Sequence, residues 1–363
     1  IRNLVETGMR PEPFRLQVPE QAISDLKERL ARTRFPDEPP LEPWQTGTSL
    51  AYLTELIDYW RTGFDWRLQE AKLNGFRQYR IEIGGIPLHF IHEPGRGASP
   101  IPLLLMHGWP GSVWEFHRLI PLLTERFTIV APSLPGFTLS FRPGQARFGV
   151  EKMADVFAEL MRVLGYERFA AQGGDWGAFI AARLGYAHAD RLLGIHLNYL
   201  PVRRDLPAQD SDWSRQLSHW MKEESGYISI QGTKPQTLAY GLSDSPAGLA
   251  GWIAEKFRSW SDQPISRDDV LTNVSLYWFS GATGSSFWPY YARAHRGWPI
   301  PEGGTVGVRV GYAEFPKEIL RPPRSLAEKT YTRIERWTRM EQGGHFAALE
   351  QPDALASEVL KFF

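Results

Sequence analysis

The strongest constraint on this chain is a rhythm between residues 101 and 197. Short apolar segments of strand length alternate there with longer segments that carry one apolar helical face. Ile101 to Met106 reads as a strand buried on both faces. Phe127 to Ala131, Arg168 to Gln172 and Leu192 to Leu197 repeat the strand pattern. Between them, Val150, Met153, Phe157, Leu160 and Leu164 fall on one helical face that ends at Gly165. A further helix is expected from Ala178 to Tyr186. Ser112 and Glu115 fit a capping box that opens a helix through Leu119, Ile120 and Leu123. Such alternation implies an α/β fold, a parallel sheet covered by helices.

The flanking segments extend this plan. Tyr79, Ile81 and Ile83 alternate, Gly84-Gly85 makes a hairpin turn, and Leu88 and Phe90 lie on the returning strand. Strand and helix patterns resume at Val306 to Gly311 and Thr332 to Arg336, and end in a helix from Asp353 to Phe363. Residues 201–300, rich in Trp, Ser and Tyr, interrupt the rhythm and read as a mainly helical cap. Residues 1–75 read as an N-terminal extension. One helix there, opening at Pro19-Glu20, carries Ile23, Leu26 and Leu30 and stops before Phe35-Pro36. After Pro39, Pro40 and Pro43, a second carries Leu50, Leu53, Leu56, Ile57 and Trp60. The sheet domain is thus expected in two parts, 76–200 and 301–363. The 363 residues exceed the roughly 250–300 that one core serves, which fits this division.

Composition excludes several classes. Lys+Arg and Asp+Glu both number 41, so no basic footprint for nucleic acid exists. Cysteine is absent, which removes disulfides, thiolate nucleophiles and Cys-ligated metals together. No run approaches the ~18 apolar residues of a membrane span. Residues 1–9 lack a leader pattern. A soluble, cytoplasmic protein without a membrane anchor is expected. With no His-Glu-x-x-His, phosphate loop or dinucleotide fingerprint, neither metal nor cofactor is implied.

Gly173-Gly174-Asp175-Trp176-Gly177 lies at a strand–helix junction. In the α/β-hydrolase fold this place holds the nucleophile elbow, usually Gly-x-Ser-x-Gly, and here a carboxylate takes the serine position. Alone, the motif reads equally as a turn in which Asp175 caps the helix. Two further pieces follow in the order nucleophile, acid, histidine. Of nine histidines, His345 in Gly343-Gly344-His345-Phe346, between the last strand and the last helix, best fits the place of a catalytic base. The acid that orients it should follow the strand ending near Tyr312, where Glu314 and Glu318 are candidates. His107-Gly108-Trp109-Pro110 follows the buried strand. Its turn places the Trp109 N–H at the carboxyl end of the sheet, where with the Trp176 N–H it would form an oxyanion hole. His107 is assigned to bracing the turn.

A carboxylate nucleophile selects the chemistry. With an ordinary pKa near 3.9 it is ionised without help, so it attacks sp3 carbon and forms an ester. The histidine then activates water to hydrolyse that ester. A strained epoxide oxygen or a halide can leave. An epoxide needs proton donors, for which tyrosine suits, being protonated until pH near 10. Tyr227, Tyr240, Tyr277, Tyr290 and Tyr291 are the candidates in the cap.

Taken together, these residues resemble the epoxide hydrolases of the microsomal type, along nearly the whole chain. The resemblance includes Leu30-Ala31-Arg32-Thr33-Arg34-Phe35-Pro36, Tyr59-Trp60-Arg61 and Asp65-Trp66-Arg67 in the N-terminal unit. It includes His107-Gly108-Trp109-Pro110, Gly174-Asp175-Trp176-Gly177 and Gly343-Gly344-His345-Phe346-Ala347-Ala348. Tyr312, Phe315-Pro316 and Glu318 match the family's charge-relay segment, which implies Glu318 rather than Glu314. Gly226-Tyr227 and Ser286 to Tyr290 match the segments of the ring-opening tyrosines, which implies Tyr227 and Tyr290, with Tyr291 the adjacent alternative. A cis peptide at Trp109-Pro110 is also implied.

The implied activity is hydrolysis of an epoxide to a vicinal diol, an ether-bond hydrolysis, with water as co-substrate. Bacterial relatives of this type act on xenobiotic epoxides or on epoxide intermediates of natural-product pathways such as those to enediynes. The aromatic cap points to a bulky or aromatic epoxide. Haloalkane dehalogenation and ligand binding without turnover are the alternatives. A homodimer is compatible with the sequence.

Overall fold

The computed structural model describes residues 10–203 and 211–363; residues 1–9, where no leader pattern is read, lie outside the described residues. The described strands are β1 (Glu12–Phe14), β2 (Gln78–Ile83), β3 (Ile86–Glu93), β4 (Ile101–Met106), β5 (Phe127–Pro132), β6 (Phe169–Gly173), β7 (Leu192–Leu197), β8 (Val310–Glu314) and β9 (Ile334–Arg339). They form one nine-stranded sheet in the order β1-β2-β3-β5-β4-β6-β7-β8-β9. β1, β2, β3 and β5 pair antiparallel in that sequence, and every pair from β5 to β9 is parallel. The hairpin closes at Ile83↔Ile86, with Gly84 and Gly85 at φ +60° and +79°, the left-handed pair that a tight two-residue turn requires.

β4, β5 and β6 are apolar because helices cover both faces of the sheet. Leu103, Leu104, Leu105, Ile129, Val130, Ala170 and Ala171 are fully buried. The helix Val150–Val163 buries its apolar face, packs beside the helix Asp175–Ala187 and ends before Gly165 at φ +86°. The helices Ser211–Glu223, Gly226–Thr233, Pro235–Asp244, Pro246–Ser259, Arg267–Ser280, Thr283–Ser286 and Trp288–Arg296 lie between β7 and β8. The segment is therefore more continuously helical than its Gly and Pro punctuation implies. N-terminal helices pack on it. Trp60 donates to Ser275 Oγ at 3.1 Å and Tyr59 donates to Asp268 at 2.7 Å.

Several local expectations shift. The capping-box helix is split into a 3-10 turn, Val113–Phe116, and a short helix, Leu119–Leu123. Ser112 accepts from the Trp114 N–H at 3.3 Å, but the Glu115 carboxyl lies against Gly111 instead of returning to the cap. Val306 makes only an isolated bridge to Tyr331, and the β8 ladder starts at Ile195↔Val310 and runs to Glu314. β9 continues to Arg339, since its mixed charged pattern is that of a half-covered edge strand. Among the short elements that escape the sequence pattern are β1 and the helix Trp66–Leu73. That helix is set by its cap, Asp65, which accepts from the Leu68 N–H at 3.0 Å.

The elbow depends on missing side chains. A Cβ at Gly177 would fall 2.2 Å from the Met106 carbonyl oxygen, so the helix Asp175–Ala187 can approach β4 only with glycine there. Gly177→Ala is expected to destabilise the fold by about 1–3 kcal/mol through overpacking. The measurement is a denaturant midpoint at unchanged slope, and an unshifted midpoint overturns this account.

Candidate active site

Asp175 stands between the carboxyl end of β6 and its helix. It is the first helical residue at φ +48°, and Gly174 occupies the cap position, so Asp175 is not the helix cap. A non-glycine residue in this region is strained, and such strain is kept where surrounding contacts impose it. Here those contacts are close. Cβ atoms at Gly173 and Gly174 would fall 2.3 Å from Gly177 and 2.5 Å from the Asn198 side chain. The turn projects the carboxylate above the sheet.

The loop after β4 meets this carboxylate. The Trp109 N–H donates to Asp175 Oδ1 at 2.8 Å. Trp109–Pro110 is cis. His107 holds the loop from below. Its Nε2 accepts from the Leu134 N–H at 3.1 Å, which leaves Nδ1 to donate to the Gly108 carbonyl at 2.9 Å. Burial pushes its pKa down to about 4, so the ring is a neutral brace.

His345 faces Asp175 from the loop after β9. Its Nε2 lies 3.4 Å from Asp175 Oδ2, and its Nδ1 lies 2.5 Å from Glu318 Oε1. The Glu318 side chain is fully buried and also accepts from the Ile319 N–H at 2.7 Å. Backbone pairing holds the two loops in register, with the Lys317 N–H donating to Gly343 O at 3.1 Å. The His345 N–H donates to Trp260 O at 2.8 Å, which ties this loop to the helices beyond β7. Burial opposes charge on the imidazole, but Glu318 and Asp175 outweigh it and lift its pKa well above the ordinary value. Glu314, the other acid candidate, instead accepts from Trp337 Nε1 at 2.9 Å.

The tyrosine candidates separate in the same way. Tyr227 stacks on Trp109 at 5.5 Å between centroids, and Tyr290 meets Trp109 and Trp176 edge-on at 5.7 and 4.9 Å. The two tyrosine rings are 5.7 Å apart. With Asp175 they line a cavity of about 380 Å³ that also meets Phe179, Tyr199, Trp220 and Trp298. Tyr277 turns its hydroxyl to Gly111 O at 2.7 Å, Tyr240 is 71% exposed, and Tyr291 stacks on His295. Tyr290 is held protonated well past the ordinary range by burial, then by Tyr227 and Asp175. Lys256 places its ammonium 4.7 Å from the centre of the Tyr227 ring. Lys256 does not stand out in the sequence, and Glu115, which borders the site, reads there only as a helix-capping residue. Among the described residues, no group of three or more His, Asp and Glu side chains is arranged to hold a metal ion.

Fold and site together define an enzyme of the α/β-hydrolase class. A family model described as "alpha/beta hydrolase fold" matches residues 101–227, and one described as "Epoxide hydrolase N terminus" matches residues 11–116. The chain is 41% identical to a putative epoxide hydrolase of Stigmatella aurantiaca, over 97% of this chain and 84% of the relative. It is 33% identical to epoxide hydrolase 1 of Oryctolagus cuniculus, over 96% of this chain and 88% of the relative. The juvenile hormone epoxide hydrolase structure of Bombyx mori superposes with a TM-score of 0.89 at 30% identity, covering 97% of this chain and 94% of that one. That of Aspergillus niger epoxide hydrolase gives 0.87 at 30%, covering 97% and 96%. The chain belongs to the epoxide hydrolases of the microsomal type, and epoxide hydrolysis displaces the dehalogenase and ligand-binding readings. No helix among the described residues is long and apolar enough to cross a membrane.

Since Glu318 raises the His345 pKa, its removal must lower it. In Glu318→Gln the imidazole is expected to titrate at distinctly lower pH, read by ring-nitrogen NMR across a pH series. An unmoved titration overturns the pairing.

Proposed function

We propose that this enzyme opens its epoxide in two steps through an ester on Asp175, with Tyr227 and Tyr290 as donors to the leaving oxygen. The observation that carries this reading is the setting of one carboxylate. Oδ1 meets the Trp109 N–H, Oδ2 faces His345, and the cavity beside it is bordered by two tyrosines.

In the first step a carboxylate oxygen of Asp175 attacks an epoxide carbon and the ring C–O bond breaks. The departing oxygen takes a proton from a tyrosine. Ester formation cancels the charge on Asp175, one of the two that hold His345 protonated. The imidazole pKa therefore falls. Its proton leaves and, through solvent, replaces the one lost by the tyrosine. The neutral ring, oriented by Glu318, next takes a proton from water, and the hydroxide attacks the ester carbon. The oxyanion develops on Asp175 within reach of the Trp109 N–H, with the Trp176 N–H as second donor. Collapse releases the diol, whose oxygen takes the proton from His345. The cavity is of ordinary size for a small-molecule site, and its wall of Phe179, Tyr199, Trp220 and Trp298 supports a bulky or aromatic epoxide.

The decisive experiment is one turnover of racemic styrene oxide in oxygen-18 water. Unlabelled diol with label in the Asp175 peptide is expected. Labelled diol with an unlabelled peptide means direct attack by water and overturns the role of Asp175. Asp175→Asn is expected to lose about 10⁴-fold or more in turnover, the scale on which removal of a nucleophile acts, and unchanged turnover overturns the scheme. His345→Gln should form the ester and stall, which intact-protein mass spectrometry reads as added substrate mass. Tyr227→Phe and Tyr290→Phe should each slow ester formation by about 10²-fold, the lower range for a positioned proton donor; rapid-quench kinetics check this.

A further inference from the structure

Asp175 borders two cavities. Besides the larger one, a second of about 20 Å³ is lined in part by Gly108, Glu115, Gln172, Asn198 and His345. That is room for one water among several polar groups. Glu115 comes from the 3-10 turn Val113–Phe116, and its carboxyl makes no hydrogen bond to any described residue. A Cβ at Gly108 would fall 2.2 Å from Asp175 Oδ1, and one at Gly111 would fall 1.5 Å from Glu115 Oε1. The two glycines flanking Trp109-Pro110 are thus seats for two carboxyl groups, of which the reaction above uses one.

We propose that Glu115 positions the hydrolytic water, accepting a hydrogen bond from it while His345 removes its other proton. The role rests on the ester reading of Asp175. The water's oxygen bonds to the Asp175 carboxyl carbon, one proton passes to His345 Nε2, and the oxyanion forms toward Trp109. Glu115 gains and loses no proton; the diol oxygen later takes the proton from His345.

Electrostatics support this arrangement. Burial pushes the Glu115 pKa up to about 8, with Asp175 and Glu318 raising it and His345 opposing them. Tyr277, which also faces it, donates its hydroxyl to Gly111 O. Asp269 is engaged by Trp114, Arg118 and Ser266, and Glu350 by the N–H groups of Asp262, Gly344 and Phe346. At neutral pH the Glu115 carboxyl is uncharged and adds no third anion around His345. Above pH 8 it ionises, stabilises the imidazolium and removes the base, so ester hydrolysis should slow on the alkaline side.

Rapid-quench single turnovers of styrene oxide by the full chain test this, with ester formation and ester hydrolysis read separately. Glu115→Leu is expected to slow hydrolysis by about 10²-fold, the scale of a misplaced reactant, while ester formation stays within about threefold and the ester accumulates. Glu115→Gln should rescue hydrolysis to within about threefold of wild type and lose the alkaline decline near pH 8. Wild-type hydrolysis in Glu115→Leu, equal slowing of both steps in both variants, or an alkaline limb kept in Glu115→Gln overturns the role and leaves the ester reading standing. A wild-type chain that makes diol without an ester overturns that reading first, and this role with it.

Discussion

The site depends on a close approach of backbone to backbone. Asp175 is held at φ +48°, a conformation costing on the order of 1–3 kcal/mol for a non-glycine residue. It persists because Gly173 lies against Gly177, Gly177 against Met106, and Gly174 against Asn198. No side chain fits in those contacts, so the turn cannot relax without separating the helix from the sheet. The carboxylate is therefore aimed by the packing of β4, β6 and their helix, and Trp109, His345 and the cavity tyrosines are arranged around it.

Around that carboxylate the electrostatics are arranged as a sequence. In the resting state an imidazole lies between Asp175 and Glu318, and burial alone would make it neutral. The two anions win, and the ring is charged. In the proposed reaction an ester on Asp175 would remove one of them, which would turn the ring from a counter-ion into a base. His107, equally buried but without a close carboxylate partner, shows the other outcome, since its pKa is pushed down to about 4.

The alternation of strands and helices along the chain, and the turns that carry Asp175 and His345, were legible because their signals are local. Glycine spacing and apolar periodicity are read within a few residues. Glu318 and Glu314 are four residues apart on one segment; local pattern leaves both open, family resemblance implies Glu318, and in the fold Glu318 meets His345 while Glu314 turns to Trp337. The tyrosines are similar. Tyr227, Tyr277 and Tyr290 are all buried aromatics, but Tyr277 donates its hydroxyl to Gly111 O while Tyr227 and Tyr290 line the cavity beside Asp175. Glu115 was misread for the opposite reason, since Ser112-x-x-Glu115 is a valid local cap pattern that loses to a longer-range fit against Gly111.

The sequence by itself determined the class of fold and the local setting of the candidate groups: a carboxylate at a strand–helix elbow, a histidine in the last loop, and no thiol. These follow from short-range rules of sterics and periodicity. Tertiary structure decided which acid pairs with His345, which tyrosines face the cavity, and that a second carboxyl borders the same small cavity as Asp175. The first of those choices sets His345 and Glu318, from separate segments of the chain, 2.5 Å apart, and contacts of this kind are decided by packing and burial, which no local pattern encodes.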